Sequence, residues 1–96
     1  MKDKVRCFNC GRLCYCDRHH IFSGPNRPKS ERYGLVVLLC RECHEKVHRE
    51  RSLMDELRRF GQRLYNSKPH DRPFIEEFGY NYLDDPDEEL DSFDIE

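Results

Sequence analysis

The sequence predicts a small α+β domain with a long helix in its C-terminal half. Three observations carry that prediction: two CxxC pairs, Cys7/Cys10 and Cys40/Cys43; a short apolar run, Leu35 to Leu39, that leads into the second pair; and helical periodicity from about Glu42 to Tyr65. Ninety-six residues, 36% of them hydrophobic and none of them Trp, bury too little apolar surface to rely on a core alone. A further fastening is therefore expected, and six cysteines offer one. Met1 is followed by the charged run Lys2-Asp3-Lys4, with no apolar stretch before Cys7 and no long apolar span anywhere. The expectation is a reducing cytoplasmic setting away from any membrane, where close cysteine pairs act as metal ligands in preference to disulfides.

Val5 to Ile21 reads as a cysteine-rich knuckle followed by a short strand, and Gly11 directly after Cys10 suits the tight turn of such a knuckle. The segment SGPNRPKSERYG is dense in turn residues and is expected to be a loop carrying Arg27, Lys29 and Arg32. Leu35 to Leu39 is apolar and β-branched at its centre, which predicts a buried strand. Beyond it, Val47, Met54, Leu57, Phe60 or Gly61, and Leu64 recur at helical intervals, predicting one long amphipathic helix that ends at Asn66-Ser67-Lys68-Pro69. A second short helix is expected over Pro73 to Phe78, closed by Gly79, with Tyr80, Tyr82 and Leu83 packing back on the body.

Charge divides the chain at Asp84. Eight of the nineteen acidic residues lie in 84–96 and none of the seventeen Lys and Arg do, so residues 1–83 carry a net charge of +6. A basic body of residues 1–83 with an acidic, disordered tail over 84–96 suits a nucleic-acid binder whose tail competes for its own basic surface; a solvated tail that only aids solubility is the plainer reading.

The two CxxC pairs supply four thiolates, enough to enclose a tetrahedral structural zinc and tie the knuckle to the start of the long helix. Cys14 and Cys16 alternate along a strand and are read as small packed thiols. The second constellation is His19, His20, His44 and His48. His44 and His48 lie four apart on one helix face, a spacing that places two imidazoles around one ion. His19 and His20 are strand neighbours, which point to opposite sides and so have different tasks. Four histidines together favour a second, open metal site over incidental surface or core roles.

CDRHHIF, a Gly/Pro loop and YGLVVLLCRECHEKVH together resemble the pattern of HNH endonucleases, and the continuation to EEFGYNYL is similar to small phage-type members. The resemblance spans nearly everything before the acidic tail. It implies a zinc-stabilised ββα-metal, treble-clef-like fold and metal-dependent hydrolysis of phosphodiester bonds in nucleic acid, DNA being the expected form. In that reading His20 is the general base and His19 stands where the family usually has an Asp metal ligand. His44 and His48 complete the ligand set. A histidine of unperturbed pKa near ~6.5 can take a proton at neutral pH, and a cation neutralises charge on the phosphate. An all-nitrogen set points to Zn, Mn or Ni ahead of Mg as the catalytic divalent metal. The family's orienting Asn is missing near Tyr33-Gly34-Leu35, where Asn26 or the Tyr33 hydroxyl are the candidate substitutes.

Arg27, Lys29, Arg32, Arg41, Lys46, Arg49 and Arg51 are candidates for backbone phosphates, which give affinity without sequence information. The resemblance further implies a phage or prophage setting in a bacterial cell, with genome-packaging proteins as partners. The chief rival is a non-catalytic zinc module of treble-clef type that binds nucleic acid or a partner protein. An adaptor displaying its acidic tail as a nucleic-acid mimic, and a disulfide-rich secreted fold, are weaker readings.

Overall fold

The computed structural model describes residues 3–90. Among them the order is β1 (Val5–Arg6), β2 (Leu13–Cys14), β3 (Cys16–His20), a 3-10 turn (Gly24–Asn26), α1 (Arg27–Arg32), β4 (Val36–Cys40), α2 (Arg41–Arg49), α3 (Arg51–Asn66) and α4 (Phe74–Phe78). The class is α+β, with two separate antiparallel two-stranded sheets, β1 with β2 and β3 with β4. None of the described helices is long and apolar enough to cross a membrane.

Between β1 and β2 the chain folds on itself through Cys7 N–H to Arg12 O and Gly11 N–H to Cys7 O, both 2.9 Å. Gly11 takes φ +76°, a left-handed conformation that costs a glycine little. Phe8 N–H donates to Leu38 O at 2.8 Å, which fastens this knuckle to β4. Strand β4 pairs with β3 in a register that sets Cys16 opposite Cys40 and His20 opposite Val36. The predicted run Leu35 to Leu39 thus forms its strand one residue later, ending on Cys40 itself.

The segment expected to be a loop contains the 3-10 turn and α1. Pro28 sits in the first turn of α1, where its fixed φ suits the helix and its missing N–H is no loss. Ser30, fully buried, supplies the anchor: its hydroxyl accepts from Phe22 N–H and donates to Phe22 O at 2.7 Å. A turn-rich composition therefore conceals a helix that is short but pinned to the end of β3.

The long helix predicted from about Glu42 to Tyr65 is two helices, broken at Glu50, whose backbone is extended at φ −103°, ψ 109°. In a straight helix the core stripe that buries Cys43 and Val47 would next present Glu50 and Arg51, and burying those charges without partners is costly. The break rotates α3 so that Leu57, Gly61 and Tyr65 face the core. Gly61 is there because the neighbouring side chains leave no room for a methyl group.

Helix α4 ends at Gly79, φ +77°, whose N–H bonds Ile75 O. Phe74 and Phe78 pack with Phe22 and Tyr65 in one aromatic cluster. Buried Gln62 on α3 clamps the segment after α4, accepting from Tyr82 N–H and donating to Asn81 Oδ1, both at 2.8 Å. Leu83 is buried, whereas Tyr80 stays exposed. Of the acidic segment, residues 84–90 run beside the end of α3, where Asn66 donates to the carbonyls of Pro86 and Glu88, and Arg63 pairs with Glu88. The remainder of the expected tail, 91–96, lies outside the described residues.

Candidate metal centres

The turn after β1 and the junction of β4 with α2 bring Cys7, Cys10, Cys40 and Cys43 together, all four sulfurs within 4.8 Å of one another. Cys10 Sγ and Cys40 Sγ are 3.9 Å apart. That is close to the edge of a sulfur tetrahedron built on metal–sulfur bonds of about 2.3 Å. Three of the four are buried, with Cys10 at the surface. Donors surround the sulfurs: Cys40 N–H reaches Cys7 Sγ and Asn9 Nδ2 reaches Cys43 Sγ, each at 3.4 Å, and Arg12 approaches Cys40. Burial alone would raise the Cys7 thiol, but backbone donors from Cys10, Cys40 and Asn9 bring it down to about 6. Cys43 moves the other way: although Asn9 favours its thiolate, burial and the three sulfurs beside it push it up to about 12. Four thiols so close cannot all ionise alone, and a cation among them removes that conflict. The cluster could therefore hold a structural metal ion.

Cys14 and Cys16 lie 3.9 Å apart, beside this cluster but not within it. The Cys14 thiol is pushed up to about 11, chiefly by burial and then by Cys16.

From β3 and α2, His19, His44 and His48 converge, with one ligand nitrogen from each within 4.8 Å of the others. Ring centroids are 5.2 Å for His19–His44, 5.4 Å for His19–His48 and 4.9 Å for His44–His48. Strand alternation turns Asp17 and His19 towards α2, and the i, i+4 spacing stacks His44 over His48 on the face that meets them. His19 is buried and its Nε2 has no hydrogen-bond partner. A buried imidazole nitrogen left without a partner is costly unless something else occupies its lone pair. Burial first, then the charges of His44, His48 and His20 and of Arg58, pull His19 down to about 4, so it is neutral and able to ligate at ordinary pH. Asp17 Oδ2 lies 3.5 Å from His44 Nδ1, a contact that leaves the opposite nitrogen of His44 for an ion. His48 is exposed, so this cluster is open to water on that side.

His20 faces away from that cluster towards α1. Its Nε2 lies 2.7 Å from Glu31 Oε2, and Arg18, on the same strand face, pairs with the other oxygen of Glu31. The Arg18 guanidinium, and then His20, hold the Glu31 carboxyl below the usual range. Both histidine sets nevertheless border one open cleft of about 240 Å³, together with Arg18, Ser23 and Arg27.

Neither expected substitute for the motif Asn is at His20. Tyr33 packs against Tyr65 and His70, and Asn26 lies in the 3-10 turn; Glu31 holds the imidazole. The sequence does not disclose Glu31, because a segment expected to be a loop has nothing to set its side chain facing β3. Asp17 carries a signal of its own, since it precedes His19 by two on a strand of period two and so shares its face. Of the candidate phosphate contacts, Arg27 lines the cleft, Lys29 is engaged by Glu77, and Arg32 lies over the Tyr33 ring. Arg41, Lys46 and Arg49 are exposed on α2, and Arg51 borders a different cleft.

No protein family, curated protein or solved structure matches the chain.

Proposed function

We propose that the chain is a metal-dependent endonuclease of the HNH type that hydrolyses phosphodiester bonds in nucleic acid, DNA being the expected form. The observation that carries this reading is the convergence of three imidazoles in a cleft that is also lined by a carboxylate-anchored histidine and two arginines. The succession β3, β4, α2, with histidines at the end of one strand and the start of the helix, supports the ββα-metal arrangement that the sequence resemblance implies. In this reading the four cysteines hold a structural zinc.

A divalent ion held by His19, His44 and His48 would place positive charge beside the scissile phosphate and its leaving oxygen. The chain's own residues do the rest. Glu31 occupies His20 Nε2, which leaves Nδ1 as the acceptor for the proton of an attacking water. Arg18 locks Glu31, so the base is held in one orientation through two elements, β3 and α1. Arg27 at the cleft edge can engage a phosphate oxygen.

The test is nicking of supercoiled plasmid by the purified full chain with Mg, Mn, Ni or Zn. Cutting by wild type with at least one ion supports the endonuclease. Absence of cutting with every ion supports instead the non-catalytic zinc module that binds nucleic acid or a partner protein.

A further inference from the structure

A second cleft, of about 510 Å³, lies between α3 and the segment after α4, and the catalytic reading makes no use of it. Its α3 wall carries Arg51, Asp55, Arg58 and Arg59, spaced so that they recur on one side of the helix. Three guanidinium groups face one carboxylate there, so the wall is cationic even though Asp55 pairs with Arg58 at 3.9 Å. The opposite wall is aromatic. Tyr82 packs against the core and lies 5.9 Å under the Arg58 guanidinium. Tyr80 meets Tyr82 at 4.6 Å between ring centroids but remains 59% exposed.

An exposed aromatic ring that is held by a second ring, opposite a row of arginines, combines the two elements of a single-strand platform: a π-face for a base and cations for its phosphates. A duplex keeps its bases stacked on one another, so Tyr80 can serve only a strand with an unpaired base. Arg51, at the start of α3, follows His48 of the histidine cluster by three residues, so this cleft begins near that cluster. A strand whose phosphates follow Arg58 to Arg51, about 10 Å along the helix, runs towards the end of α3 that adjoins the imidazoles.

We propose that this cleft binds single-stranded nucleic acid, with a base stacked on Tyr80 and phosphates on Arg51, Arg58 and Arg59, so that the substrate is a strand unpaired beside the cut. The proposal rests on the endonuclease reading for the cutting step but not for the binding.

Two of the chain's five Tyr line this cleft and there is no Trp, so tyrosine quenching follows its occupation in wild type, and anisotropy of an end-labelled strand gives the affinity of every variant. An oligothymidylate of about 12 nucleotides, and its duplex with oligodeoxyadenylate, are titrated into wild type, Tyr80→Ala, Tyr80→Phe and Arg58→Gln, and strand integrity is read on a gel afterwards. Expected results are quenching of wild type by the single strand, tighter binding of the single strand than of the duplex, and roughly tenfold weaker single-strand binding for Tyr80→Ala. Tyr80→Phe should match wild type. Arg58→Gln should flatten the salt dependence of single-strand binding by about 0.7 in logarithmic slope. Unchanged single-strand affinity in Tyr80→Ala, or equal losses for single strand and duplex, overturns the platform. Strands that are cut without any dependence on Tyr80 overturn this proposal and leave the endonuclease standing. Strands bound through Tyr80 and recovered intact with every metal do the reverse.

Discussion

His20 and Glu31 meet at 2.7 Å across the junction of β3 with α1, and that contact decides which nitrogen of His20 can act as a base. With Nε2 hydrogen-bonded to a carboxylate, Nδ1 is the nitrogen left to accept a proton, and that tautomer is favoured by a residue eleven positions further along the chain. His20→Ala should reduce nicking by about 10²–10⁴-fold, the range for loss of a general base. Glu31→Gln keeps the shape but loses the charge and should cost about 10- to 100-fold. Rates at saturating plasmid check both, and circular dichroism checks that the fold survives. Equal activity of Glu31→Gln and wild type would mean that Glu31 does not position the base.

Cysteine substitutions should separate the two thiol groups. Cys43→Ser takes one ligand from the four-sulfur cluster and should abolish cooperative thermal unfolding, because structural metal binding supplies apparent energies on the order of 10 kcal/mol in small domains. Cys14→Ser, beside the cluster but outside it, should retain the metal and lose under about 1.5 kcal/mol. Metal content and melting curves decide. Strong chelation should reproduce the Cys43→Ser behaviour in wild type.

Acid should destabilise the chain through His19. Its folded value is lowered to about 4, first by burial and then by the neighbouring histidines and Arg58, against an unfolded value of about 6.5. Between those values the unfolded chain binds a proton that the folded chain refuses. Stability therefore rises with pH across this window, is complete above it, and is lost as pH falls towards 4, by up to about 3 kcal/mol. Urea midpoints measured from pH 4 to 7 for wild type and His19→Leu give the test. The substituted chain should show the shallower dependence, and parallel curves would contradict the burial of a neutral His19.

Gly61→Ala should destabilise despite alanine's better helix propensity. A methyl group there would meet Ile21 Cγ2 at 2.7 Å and Phe22 Cε2 at 2.9 Å. Overpacking of this kind costs about 1–3 kcal/mol, more than the ~1 kcal/mol gained in propensity. A denaturation midpoint at or above that of wild type would mean that α3 docks on β3's end less closely than described.

What the sequence discloses depends on how local the signal is. The CxxC pairs carry their own geometry, and the second pair opens a helix as expected, because two cysteines three apart at a turn need no distant information to point the same way. Strand period alone separates the facing of His19 from that of His20. The short helix ending at Gly79 is equally local, being an apolar turn between a proline and a glycine. The break at Glu50 is not local: the apolar recurrence continues across it, and only the cost of burying Glu50 and Arg51 on the same stripe reveals that the stripe must turn. Helix α1 is hidden because its anchor, the Ser30 hydroxyl on the Phe22 backbone, is a tertiary contact. Glu31 is hidden with it, and so the partner of His20 cannot be read from the string of residues.

A catalytic role for the histidines requires that they form a metal site of their own, apart from the cysteines. Titrating the metal-free chain with cobalt(II) under reducing conditions tests this directly, since thiolate and imidazole ligation give different absorption. Two ions per chain are expected: one with sulfur charge-transfer bands, lost in Cys43→Ser, and a second without them, lost in His44→Ala while the first remains. A single ion with sulfur bands, unaffected by His44→Ala, would leave the imidazoles without an ion and the proposed hydrolysis without its metal.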